Sequence, residues 1–72
     1  MDTEKRMVRY SSIETENAKR RHHYEVGQDG VWAIEHEAGT LTYLVFYKDG
    51  TTIHFRSTEI VDLVLSDQEV NR

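Results

Sequence analysis

Apolar side chains are unevenly spread along this chain. Residues 1–23 hold six of the 27, whereas residues 24–66 hold 20. In the denser stretch, Gly27-Gln28-Asp29-Gly30, Ala38-Gly39-Thr40 and Asp49-Gly50 separate runs rich in Val, Ile, Thr and aromatic residues. This is the punctuation of an antiparallel β-meander. The pattern predicts strands over 22–26, 31–37, 41–48, 51–56 and 61–65, the last entered through a tight turn at Ser57-Thr58-Glu59-Ile60. Ile60, Leu63 and Val64 also have helical spacing, but the segment is short and rich in β-branched residues, which favours strand.

Register follows from the turns. A two-residue turn at Asp49-Gly50 sets Phe46 opposite Ile53 and Leu44 opposite Phe55, and a three-residue turn at Ala38-Gly39-Thr40 sets Ile34 opposite Leu44 and Trp32 opposite Phe46. The expected core face is therefore Trp32, Ile34, Leu44, Phe46, Ile53 and Phe55, extended by Val61, Leu63 and Leu65. The other face carries Val31, Ala33 and Glu35, then Tyr43, Val45 and Tyr47, then Thr52, His54 and Arg56, with Tyr24 and Val26 joining through the Gly27–Gly30 turn. Aromatic residues at the centre with Arg and His at the rim are the composition of a binding surface.

Three structures account for that second face. The sheet curls into a small barrel that resembles SH3-like barrels in strand count and turn spacing, an architectural likeness without functional content. In that case Val45 belongs to a second part of the core. Alternatively, the N-terminal segment folds as a helix from about Ser12 and lays Met7, Tyr10, Ile13 and Ala18 across the face. The third is intermolecular contact, with another protein or with a second copy, in which case Tyr24, Val31, Ala33, Tyr43, Val45, Tyr47, His54 and Arg56 are the face of a homodimer.

Charge divides the chain further. Residues 1–23 carry six Lys and Arg against four Asp and Glu, and residues 24–66 carry two against seven. The expected organisation is a basic N-terminal arm over 1–21, poorly ordered or short-helical, an acidic β domain over 22–66 and a frayed tail over 67–72. The 72 residues, without Cys or Pro and with a net charge of −4, hold one small domain with neither disulfides nor a thiolate metal site. No apolar run of signal-peptide length occurs at the charged N-terminus, so the expected location is the cytoplasm, away from membranes.

The candidate chemistries are weak. Glu35-His36-Glu37 has metal-ligating residue types, but strand alternation sends His36 to the face opposite the two glutamates. His54 lies on the face opposite His36, and His22-His23 lacks a spaced partner. Ser57, His54 and Asp62 share only residue types with a hydrolase triad, with no nucleophile elbow around Ser57. The Gly27–Gly30 turn offers an acid where a phosphate loop needs a base. The expectation is a protein without catalytic activity, cofactor or metal.

Two surfaces remain. Glu25, Asp29, Glu35, Glu37, Asp49, Glu59 and Asp62 form an expected acidic surface suited to a basic protein partner, one that would compete with nucleic acid as an inhibitor or mimic. Lys19, Arg20 and Arg21, followed by His22 and His23, are the runner-up, a phosphate-contacting run in a nucleic-acid binder. A structural subunit of an oligomer is the third reading.

Overall fold

The computed structural model describes residues 6–66. It is mainly β: β1 (Met7–Asn17), β2 (Arg20–Glu25), β3 (Val31–Glu37), β4 (Thr42–Tyr47), β5 (Thr52–Arg56), one 3-10 turn (Ser57–Glu59) and β6 (Ile60–Leu65). The strands pair antiparallel in the order β2-β1-β3-β4-β5, and β6 lies against β1 as well. The sheet curls into a half-barrel around Tyr10, Ile13, Val31, Ile34 and Val45. Residues 61–65 are strand, as expected; the tail over 67–72 lies outside the described residues.

The segment expected to be a basic arm is instead the longest strand. β1 pairs with β2 through Ser12–Asn17, with β3 through Met7–Arg9 and with β6 through Tyr10–Thr15. Its composition explains why: Val8, Ile13 and Thr15 are β-branched, and Ser11 and Ser12 compete with helical hydrogen bonding. Alternation of inward residues breaks between Tyr10 and Ile13, where the ladder to β6 shifts register at Tyr10/Ser12. Ile13 is fully buried between its cross-strand partners Tyr24 and Leu63. The β1–β2 hairpin closes through Ala18 and Lys19, at φ of 52° and 66°. Two consecutive left-handed residues make a primed turn, here without the glycine or asparagine that usually announces one.

Both predicted hairpin registers are displaced by one residue. Asp49-Gly50 is part of a three-residue loop: the Tyr47 N–H donates to the Thr51 carbonyl at 2.8 Å, the Gly50 N–H donates to the Tyr47 carbonyl at 3.0 Å, and Gly50 sits at φ +94°. Val45 therefore faces Ile53, and Tyr43 faces Phe55. The β3–β4 loop takes four residues, 38–41, which sets Ile34 opposite Val45. A one-residue slip moves a strand's side chains to the opposite face. Leu44 and Phe46, expected in the core, point outward with Trp32, while Tyr43, Val45 and Tyr47 point inward.

β3 adds a bulge of its own. The ladder to β4 shifts between Val31 and Ala33, so Val31 and Ile34 both face the core despite a spacing of three. In β6 the inward residues are Ile60 and Leu63, whereas Val61 and Leu65 are exposed.

These shifts correct the proposed self-association face. Val31 is 2% exposed and Val45 0%, so both are interior residues of the single chain. Tyr43 packs at 5.9 Å from Tyr10 and at 4.2 Å from His36, and Tyr24 at 5.4 Å from Phe55, ring to ring. Ala33, Glu35, His54 and Arg56 stay on the outer side, separated from those aromatics by the sheet. Val45 belongs to the core, as the barrel alternative requires, but the cover comes from β1 as a strand and not as a helix.

Candidate functional site

The outer face of β3 and β4 holds the chain's one tryptophan. The bulge turns Trp32 outward, where it is 56% exposed, with its ring 6.1 Å from Phe46 and tilted by 43°. Leu44 is half-buried on the same face, two residues from Phe46. Beside Trp32 lies a hollow of about 140 Å³, walled by Val26, Ala33 and the Arg9–Glu35 ion pair, whose Nε and Oε2 are 3.4 Å apart. Arg9 and Glu35 are cross-strand partners in β1 and β3, which places the pair at the hollow's edge.

A second hollow, of about 180 Å³, lies at the loop end of the half-barrel. Tyr24 from β2 and Tyr47 from β4 line it, with Glu25, Gln28, Asp29 and His23 around them and Val31 at the base. Backbone hydrogen bonds hold its loop: Gln28 N–H to the Glu25 carbonyl at 3.0 Å, Gly27 N–H to the Val31 carbonyl at 2.8 Å and Val31 N–H to the Gln28 carbonyl at 3.0 Å. The Lys48 N–H donates to the Gly30 carbonyl at 2.8 Å and ties the β4–β5 turn to the same loop. The Tyr47 ring lies beside Gly30, where a Cβ would meet it in ordinary van der Waals contact at 3.8 Å. Burial pushes the Tyr24 phenol above its ordinary pKa, and the neighbouring Tyr47 adds to the shift.

The seven carboxylates of the expected acidic surface are dispersed. Glu25 and Asp29 border the second hollow, and Asp49 lies in the adjoining turn. The Asp49 carboxylate accepts a hydrogen bond from the Thr51 N–H at 2.9 Å; bonds from the Thr51 side chain and backbone hold its pKa below the ordinary value. Glu35 pairs with Arg9, and Glu37 faces Met7 across β1. Glu59 has a local structural role: Oε1 accepts the Arg56 N–H at 3.1 Å and Oε2 accepts from Asn17 Nδ2 at 3.0 Å, fastening the 3-10 turn to the end of β1. Asp62 is exposed on β6 opposite Glu14.

The basic run sits on the β1–β2 hairpin. Lys19 and Arg20 are exposed beside its turn. Arg21 already lies 3.5 Å from both Glu14 and Glu16, and His23 lies between Glu25, at 3.3 Å, and Glu14, at 3.8 Å. The hairpin thus interleaves cations with carboxylates, a pattern that opposes the approach of phosphate. His36 serves the structure: its Nε2 meets the Thr40 carbonyl at 2.9 Å and its ring stacks on Tyr43, leaving Nδ1 buried without a hydrogen-bond partner.

The residues that sequence reasoning missed are Trp32, Leu44 and Phe46 as outward-facing groups. The usable signal was the odd loop length at Lys48-Asp49-Gly50, since a type I turn closed by a left-handed glycine inverts the facing of β4. Among the described residues no group of His, Asp or Glu is arranged to hold a metal, and no helix is long and apolar enough to cross a membrane. Comparison with protein-family models, with curated proteins and with solved structures finds nothing that matches this chain.

Proposed function

We propose that this protein is a non-enzymatic interaction domain that docks a basic protein partner in the cytoplasm, through the outer face of β3 and β4 and the acidic loop end beside it. The observation that carries the reading is Trp32. A 72-residue chain with so few fully buried side chains leaves its largest aromatic outside, on a hydrogen-bonded strand, in tilted contact with Phe46 and beside a hollow. Exposed aromatic residues on a rigid support, rimmed by an Arg–Glu pair, are the composition of an energetic centre for protein binding. The net charge of −4, with Glu25, Asp29 and Asp49 at the nearby loops, favours a partner of opposite sign and raises the rate of encounter with it. A partner whose basic surface holds nucleic acid is of this kind, and the domain would then act as a competitor.

The test is capture from a cell extract by the immobilised wild-type chain and by Trp32→Ala, whose exposed position preserves the fold. A basic protein retained by the wild type and released by Trp32→Ala, with a blue shift of Trp32 emission on adding that protein back, supports the reading. Equal retention by the two chains, or emission that does not change, rejects it.

A further inference from the structure

The hollow between Tyr24 and Tyr47 has a chemistry of its own. Its walls are two phenol rings, its rim carries the carboxylates of Glu25 and Asp29 and the amide of Gln28, and neither Lys nor Arg lines it. The one basic group there, His23, already faces Glu25 and Glu14. Among the described residues, Asp29 has neither an ion pair nor a hydrogen bond to its carboxylate. An electron-rich aromatic face next to uncompensated negative charge attracts a cation that keeps both contacts at once.

We propose that this hollow receives the guanidinium group of an arginine side chain. Four observations favour that occupant. Planar guanidinium stacks on aromatic rings while its five N–H groups point outward, where Glu25, Asp29 and the Gln28 carbonyl group supply acceptors. The volume of about 180 Å³ accepts a single side chain and not a folded surface. The rim is assembled in advance by the three backbone hydrogen bonds within the 25–31 loop and by its tie to Lys48, so little ordering is needed on binding. Asp29 holds its carboxylate from a left-handed backbone, φ 52°, a conformation in which short polar residues are favoured. Only the source of the arginine, a basic partner, rests on the docking reading above.

The full chain, labelled with 15N, is titrated with the blocked tripeptide glycyl-arginyl-glycine and with its citrulline counterpart, which keeps the shape and removes the charge. Saturable shifts confined to the amides of Tyr24, Gln28, Asp29 and Tyr47 are expected with arginine and not with citrulline, and they weaken with added salt. Asp29→Asn suits the same left-handed backbone and should weaken binding roughly tenfold, the effect of losing one charge-assisted contact. Equal shifts with citrulline, shifts spread as strongly over Glu59 and Asp62, or wild-type affinity in Asp29→Asn would overturn the proposal. Trp32→Ala separates the two readings. If arginine shifts are absent while Trp32→Ala still abolishes capture of the partner, the pocket alone is refuted; if arginine shifts persist while Trp32→Ala captures normally, the docking face alone is refuted.

Discussion

Replacing Ile13 with alanine should destabilise the protein far more than replacing Phe46 with alanine. Ile13 is fully buried, with Tyr24 of β2 on one side and Leu63 of β6 on the other. The substitution removes three carbons, about 2.4 kcal/mol at roughly 0.8 kcal/mol each. A residual cavity adds to this, because hydrogen-bonded strands hold both neighbours apart, and the total should be about 3–4 kcal/mol. A domain of 72 residues has stability on the order of 4–10 kcal/mol, so the substitution removes a third of it or more. Ile13→Val, which loses one methylene, should cost about 1 kcal/mol and give a complete two-state curve. Phe46 is half-buried on the outer face and loses partial burial plus a tilted contact with Trp32, about 1–2 kcal/mol in all. Urea unfolding followed by far-ultraviolet circular dichroism measures all three, and unchanged slopes allow the midpoints to be compared. The reasoning is refuted if Phe46→Ala is more destabilising than Ile13→Ala, because the register would then place Phe46 inside and β1 would not cover the core.

Val45→Glu should give an unfolded or aggregated chain and not a soluble monomer, since it places a carboxylate at a fully buried position; a folded Val45→Glu protein by circular dichroism would contradict this. The double substitution Ala18→Asn with Lys19→Gly should stabilise the protein by about 1–2 kcal/mol by relieving two left-handed non-glycine residues in the primed turn, visible as a higher urea midpoint. Burial raises the Tyr10 and Tyr24 phenols, with Tyr43 adding at Tyr10 and Tyr47 at Tyr24. The unfolded chain therefore releases these protons first, and stability should be intact below about pH 10 and fall as pH rises above it. Tyrosinate absorbance at 295 nm should rise together with the loss of structure, and independent early ionisation of all four tyrosines would argue against burial.

Much of the architecture was readable because glycine, asparagine and aspartate mark chain reversals whatever their detailed geometry. The positions of β3, β4 and β5 and the strand at 60–65 follow from that punctuation. Register was less readable, and β4 shows why. Tyr43-Leu44-Val45-Phe46-Tyr47 is apolar on both faces, so no polar position vetoes a slip of one residue, and Asp49-Gly50 fits both a two-residue and a three-residue loop. In β3 the bulge at Trp32–Ala33 hides the alternation that would have joined Val31 to Ile34. β1 was the least readable element. Its inward set mixes Val8, Tyr10 and Ile13 with the buried hydroxyl residues Ser12 and Thr15, and a register shift at Tyr10/Ser12 interrupts its period. The candidate site inherits these limits. Trp32 became a surface group only when the bulge was seen, and the hollow at Tyr24 and Tyr47 depends on strands that lie apart in sequence. Glu25 and Asp29 were identifiable from charge alone, but not that the other carboxylates face elsewhere.

The two ladders on opposite sides of β1 also dictate how the molecule must be made. β2 reaches β1 by a local hairpin, but β6 pairs with it across about 45 to 55 residues, from Thr15 with Ile60 to Tyr10 with Leu65. Such distant pairings close slowly relative to hairpins. During synthesis, every strand up to β5 can emerge and turn while one edge of β1, with Ile13 beside it, still awaits its partner. Until residues 60–65 leave the ribosome, that edge is an open template for any extended chain nearby. The folding chain thus passes through a vulnerable interval that ends only when β6 pairs with β1.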